Sequence, residues 1–239
     1  MKYGFMPSFE MDLISEIKFA KKYFDFIEIT LRLDLSEYTL QYTSKLKTAL
    51  NNFEIFGHIH WEIDPSKELN KIYEHIRIFK KLGAKKITIH PHPNIQNVLS
   101  EINDFCNKNK LQLLIENTSS EPFNKATNLT KLTENVPNLG VTLDVGHANK
   151  TSKTELNNFL KKFKSKIKHI HIHDNVGKFD HLFFQDKDKF KRIITKINSI
   201  NYNGTITLEM FAFLKNNQYV SVYGIKRRKL FIKQLEMIK

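Results

Sequence analysis

Short runs of apolar, β-branched and aromatic residues recur along the chain, separated by longer stretches whose apolar positions fall at helical spacing. The runs read KYGFM, FDFIEIT, FEIFGHI, KKITIH, LQLLIE, LGVTLD, IKHIHIH and GTITLEM. Eight runs of strand length, alternating with eight amphipathic, lysine-rich stretches, predict parallel strands joined by helices. Eight such units close into a single (β/α)8 barrel of the α/β class. An open doubly wound sheet would show fewer strands and a Gly-rich first turn, whereas the first turn here reads FMPSFEMD. Helix starts are predicted at Asp64 with Pro65, before the third helical stretch, and at Ser152 with Glu155, a capping box before the sixth.

Composition agrees with that frame. A chain of 239 residues, 41% hydrophobic, matches the roughly 250 residues of one barrel, so one domain over residues 1–239 is expected. There is no apolar run of membrane-spanning length and no signal-peptide pattern at the start, which predicts a soluble, cytoplasmic protein without a membrane partner. Cys106 is the single cysteine, in a helical pattern where a small buried side chain fits, so disulfide and redox chemistry are not expected. The net charge of +13 would suggest nucleic acid, but the lysines are scattered and there are only five arginines. The one dense run, Lys226 to Lys229, reads as the solvated face of the last helix, with Val222, Ile225, Leu230 and Ile238 facing inward.

Polar residues fall at particular places in this pattern. Nine of ten histidines (58, 60, 90, 92, 147, 169, 171, 173 and 181) lie at strand ends or in the loops that follow, and only His75 sits mid-helix. Carboxylates do the same: Glu28 ends the second strand, Glu116 the fifth, Asp144 the sixth and Glu209 the eighth. A charge at the end of an apolar run is costly to bury unless it is paired or binds a metal. All strand ends of a barrel open on one mouth, so these residues converge there as oxygen and imidazole ligands suited to Mn, Co, Mg or Zn. On the seventh strand His169, His171 and His173 share one face, and spacing alone does not choose among them.

The segments that carry these residues resemble a known family. HIHWEIDPS at the third strand, TIHPH at the fourth, LLIENT at the fifth, TLDVGHA at the sixth, HIHIHD with FDHL at the seventh and TLEM at the eighth are similar, in order and spacing, to the xylose-isomerase-like barrels. That superfamily includes D-tagatose 3-epimerase and related ketose epimerases, inosose-processing enzymes, and AP endonucleases of the endonuclease IV type. The resemblance covers essentially the whole chain. It implies that Glu116, Asp144, His171 and Glu209 share one divalent metal, and it selects His171 from the three histidines. It implies further that His147 meets substrate or another metal, and that His58 and His90 correspond to histidines holding extra metals in endonuclease IV. Asp180 and His181 fall near that enzyme's Asp-x-His pair, but here they are adjacent and the loop is shorter, a departure that counts against a third metal. Trp61 either stacks on a sugar face or roofs the barrel; Glu28 either binds a substrate hydroxyl or anchors a loop. Family members often form dimers or tetramers, so a homo-oligomer is among the expected assemblies.

Three functions follow from the resemblance. In the first, a ketose epimerase or isomerase, the metal polarises a carbonyl while Glu116 and Glu209 serve as base and acid on opposite faces of an enediolate. The second is an AP endonuclease, with a multi-zinc cluster activating water against a phosphodiester. The strand-to-helix connections look short and poor in arginine, which favours the sugar over nucleic acid. A sugar-binding barrel without catalysis is the third, and two carboxylates flanking one metal argue against it.

Overall fold

The computed structural model describes residues 1–8 and 11–238. Phe9 and Glu10 of the first connection, FMPSFEMD, lie outside the described residues. In chain order the strands are β1 (Lys2–Phe5), β2 (Phe26–Thr30), β3 (Glu54–His58), β4 (Lys86–Ile89), β5 (Gln112–Glu116), β6 (Gly140–Asp144), β7 (Ile167–Ile172), β8 (Asp174–Val176), β9 (Phe179–Leu182), β10 (Thr205–Leu208), β11 (Ala212–Lys215) and β12 (Gln218–Ser221). Strands β1 to β7 and β10 are parallel and close into a barrel, β10 lying between β7 and β1. The helices are α1 (Leu13–Tyr23), α2 (Leu40–Leu50), α3 (Leu69–Leu82), α4 (Leu99–Lys108), α5 (Ala126–Thr133), α6 (Val145–Thr151), α7 (Glu155–Phe163), α8 (Lys187–Asn198) and α9 (Gly224–Ile238). The eight runs read from the sequence are the eight barrel strands, so the expected (β/α)8 barrel is the fold.

Alternation along each strand divides the core in two. Outward residues such as Ile27, Ile29, Ile87, Ile89, Leu113, Ile115, Val141, Leu143, Ile170 and Ile172 pack against helix residues including Ile17, Ile76, Phe79, Ile102 and Phe159. Cys106 on α4 belongs to this layer and is fully buried, as expected. Inward residues are aromatic and polar. Near the floor, Phe26, Phe56 and His169 form a ring cluster with centroids 4.6 to 5.8 Å apart. Lys86 closes the floor, donating to the Lys168 carbonyl at 2.9 Å and the Thr205 hydroxyl at 3.2 Å. Among the described residues, no helix is long and apolar enough to cross a membrane.

Several expectations are corrected. The sixth strand is followed by two helices, and no capping box forms at α7: Thr154 precedes it without a side-chain cap. Glu155 accepts instead from the Ala126 amide at 2.7 Å and from Asn158 at 3.0 Å, tying α7 to α5. Asp64 organises a turn, accepting from the Ser66 amide and hydroxyl, and α3 begins only at Leu69. The connections after β7 and β10 are not short; each carries a hairpin, and β8, β9, β11 and β12 form a second, four-stranded sheet. Asn216 and Asn217, both at positive φ (50° and 59°), make the two-residue turn between β11 and β12. The basic run of α9 is not simply a solvated face. Arg227 is buried, donating to the carbonyls of Met210 (3.0 Å) and Met6 (2.6 Å), and Arg228 pairs with Glu16 at 2.6 Å. Ile225, expected inside, is 72% exposed; Val222 is buried, and Leu230 and Ile238 are partly buried.

Candidate metal centre and active site

Strand ends β5, β6, β7 and β10 bring Glu116, Asp144, His171 and Glu209 together, with one ligand atom from each lying within 4.8 Å of the others. Asp144 pairs with His171 in register across β6 and β7, which fixes two of the four by strand pairing alone. The backbone at Asp144 is pinned by Asn117, whose amide side chain donates to the Asp144 carbonyl (2.9 Å) and accepts from its N–H (2.8 Å). Asp144 then caps α6, accepting from the His147 amide at 2.6 Å. His147 therefore sits in the first turn of a helix, not in a loop. Its Nδ1 faces the Asn117 carbonyl at 3.0 Å, which turns Nε2 outward.

Glu28 lies beneath this group and does not line the mouth. Both its carboxylate oxygens stand 3.0 Å from Nε2 of His171, and Oε2 is 2.9 Å from Nε2 of His169. This places the Nε2 proton of His171 toward Glu28 and directs Nδ1 at Glu116 (3.2 Å) and Glu209 (3.1 Å). A carboxylate on the far nitrogen is the usual way a ligating histidine is oriented. His169 also meets the Thr205 hydroxyl at 2.7 Å, so a hydrogen-bonded column runs from Thr205 through His169, Glu28 and His171 to Glu116. At its top, Oε2 of Glu116 is 3.1 Å from Nε2 of both His58 and His90. His58 Nδ1 faces the carbonyl of Ile59 at 2.8 Å.

The charges of this column hold one another. Burial alone would raise the carboxyls of Glu28 and Glu116, but neighbouring imidazoles hold both well below the usual range: His171 and His169 beside Glu28, His171 and His90 beside Glu116. Burial likewise opposes the proton on His171, and the charges of Glu28, Glu116 and Glu209 raise its pKa well above the ordinary value. His58 is raised in the same way, chiefly by its bond to Glu116 against the opposing burial. Without a cation, protons take the place of positive charge among these carboxylates.

Asp180 and His181, on β9, approach from the second sheet. His147, His173, Asp180 and His181 also offer ligand atoms within 4.8 Å of one another. His173 is held by Asp144 (3.1 Å from Nε2) and Asp180 (3.1 Å from Nδ1), and its ring packs so closely on Gly146 that a Cβ there would overlap it. His181 has positive φ (52°), and burial pushes its pKa down to about 4, leaving a neutral imidazole. Its Nδ1 is buried and lacks a hydrogen-bond partner among the described residues, and Oε2 of Glu209 faces Nδ1 of His171 at 3.1 Å without hydrogen-bond alignment. The unpartnered His181 nitrogen, 3.8 Å from Oε1 of Glu209, fits a divalent cation held on the Glu209 side of the mouth.

Above these residues opens a cavity of about 690 Å³. Of the residues singled out in the sequence, His58, Trp61, His90, His147, His181 and Glu209 line it, while Glu28, Glu116, Asp144 and His171 lie below. Trp61 stacks on His60 at 4.1 Å and is half exposed, so it forms wall as well as cover. Phe211, Tyr219 and Tyr223, which complete the opposite wall, come with the second sheet and its flanks and were not anticipated. The Asn-Asn turn inside an alternating FLK-NN-QYV segment is the signal that could have found that hairpin. Asn117 and Lys150 were also missed; Asn117 directly follows Glu116, but nothing local marks Lys150.

A region of the chain is 33% identical, over 150 residues, to an uncharacterized protein of Methanocaldococcus jannaschii, covering 55% of this chain and 59% of that relative. The match thus spans somewhat over half of that relative's length. Among solved structures, D-allulose 3-epimerase from Methylomonas sp. superimposes with a TM-score of 0.75 at 17% identity, over 100% of this chain and 96% of that one. Endonuclease IV from Thermus thermophilus superimposes with a TM-score of 0.71 at 14% identity, over 99% and 98%. At such identities these two share the fold, and they mark the same two activities between which the sequence left the choice. Residues 17–239 match the model of the xylose isomerase-like TIM barrels, and the chain belongs to that family.

Proposed function

We propose that the protein is a metal-dependent epimerase or isomerase of an uncharged sugar. The observation that carries this reading is the lining of the mouth. Ser8, Thr30, Thr118, Ser119, Ser120 and Ser221 offer hydroxyls there, Trp61, Phe211, Tyr219 and Tyr223 offer ring faces, and no described lining residue is Lys or Arg. Hydroxyls and rings suit a polyol, whereas a phosphodiester or sugar phosphate calls for cationic partners. Glu116, Asp144, His171 and Glu209 would hold the cation, which would supply a Lewis acid for loss of a proton beside a carbonyl.

The two glutamates have unequal access. Glu209 lines the cavity and meets His171 alone within 3.5 Å among the described residues, so we assign to it the removal of a proton from carbon. Glu116 is engaged by His58, His90 and His171 and lies below the cavity, so a proton returning on the opposite face passes by way of His58 or His90, which do line it. Inversion or a shift between adjacent carbons follows from that arrangement.

The test is incubation of metal-loaded protein with a panel of neutral ketoses in deuterated water. Deuterium should enter a carbon next to the carbonyl, and Glu209→Gln should abolish the exchange. A second reading, hydrolysis at abasic sites, is favoured by the neighbouring donor groups around His58 and His147. Cleavage of an abasic-site oligonucleotide, with no exchange into any ketose, would replace the sugar reading with it.

A further inference from the structure

Two side chains of α6 converge on one oxygen of β9. Asp180 Oδ2 is 2.9 Å from Nζ of Lys150 and 3.9 Å from Nε2 of His147. Residues three apart share a helix face, so both reach the same point. Asp180 supplies a carboxylate to the group formed with His147, His173 and His181, and its side chain is mostly buried. A dication seated there would need that carboxylate, yet would stand against an ammonium already bound to it, where little water screens the repulsion. His173 does not relieve the conflict, since Asp180 Oδ1 and Asp144 Oδ2 already engage its two nitrogens at 3.1 Å each.

We propose that the Lys150 ammonium takes the place of a metal ion in the His147, His173, Asp180 and His181 group, so that the chain binds one ion fewer than its donor sets provide for. The side chain is suited to this. It rises from the last turn of α6, where a positive charge also complements the carbonyl end of the helix, and its stem is long enough to bring the charge to Asp180 from outside the cavity, which it does not line. The ammonium neutralises Asp180 without activating a water molecule, as a zinc ion there would. The inference concerns how many ions the mouth accepts and is independent of the reaction performed.

Zinc stoichiometry tests it. Protein stripped with a chelator, re-equilibrated with excess zinc and freed of unbound metal is measured by elemental mass spectrometry, for wild type, Lys150→Met and Lys150→Arg. Lys150→Met should hold one more zinc per chain than wild type, and Lys150→Arg, which keeps the charge, should match wild type. Equal counts in wild type and Lys150→Met, or an equal gain in Lys150→Arg, overturn the proposal. Should Lys150→Met fail to fold, anomalous scattering from zinc-soaked crystals of wild type decides: a peak between His147 and Asp180 refutes it, and peaks confined to the other donor groups uphold it.

Discussion

Glu28 grips His171 with both carboxylate oxygens, 3.0 Å from Nε2, although neither residue lines the cavity. The contact sets the direction in which the histidine presents its other nitrogen. Glu28→Gln keeps the size of the side chain while removing the charge that orients the ring. Zinc affinity should fall by about 10- to 100-fold, the range for loss of such an outer partner, with the fold retained. A competition titration against a zinc chelator measures it, and unchanged affinity would show that Glu28 does not orient the ligand.

Gly146 is required by its neighbour. A methyl group at this position meets the ring of His173, which is fully buried between Asp144 and Asp180 and has no room to retreat. Gly146→Ala should cost about 1–3 kcal/mol, as overpacking does elsewhere. Urea unfolding of the metal-free protein reads this directly; a wild-type midpoint would mean that the ring moves freely.

Stability should respond to pH with a sign set by the buried pairs. The charges of Asp144, and then of Asp180 and Glu209, overcome burial and raise His173 from its ordinary 6.5 to about 9. Its contribution in metal-free protein is therefore complete below pH 6.5 and lost as pH rises through about 9. His171 acts in the same direction. Asp144 and Glu116 are shifted down, so their contributions hold above their ordinary values of 3.8 and 4.5 and vanish as acid is added. A cation held by His171, as proposed, would displace its proton, so the gain in melting temperature on adding zinc should grow as pH rises. Thermal melts between pH 6.5 and 9 check both trends, and a flat metal-free curve would contradict the pairing.

Arg227 joins α9 to the carbonyls of Met6 and Met210, which follow β1 and β10 where the barrel closes. Two hydrogen bonds from a buried guanidinium contribute roughly 1.5–3 kcal/mol each. Arg227→Met should therefore lower unfolding free energy by about 3 kcal/mol or more, measured by urea titration. Because Met210 follows Glu209, the same variant should weaken zinc binding; a loss of stability without that effect would confine Arg227 to the scaffold.

The barrel was legible because its strands are set by period-two alternation, and a charged residue ending an apolar run has few explanations. Glu116, Asp144 and Glu209 stand out on that ground, His171 was selected from three histidines only by the family resemblance, and the structure brings all four together. Features that depend on partners far along the chain were not legible. Ser152 and Glu155 have capping-box spacing, but Glu155 is drawn to the Ala126 amide on another helix. Arg227 sits in a run of four basic residues and reads as surface; only closure of the barrel reveals the carbonyls that bury it. Glu28 was read as ending the second strand, but β2 runs on to Thr30, and those two further residues put Glu28 one layer below the mouth.

The hydrogen-bonded column from Thr205 to Glu116 fills the axis of this barrel with linked charges in place of inert packing. Lys86, at the floor, touches its lowest member, and His58 and His90 touch its highest. Removing the Lys86 charge at the base would act on His169, and through Glu28 and His171 on the carboxylates of the rim.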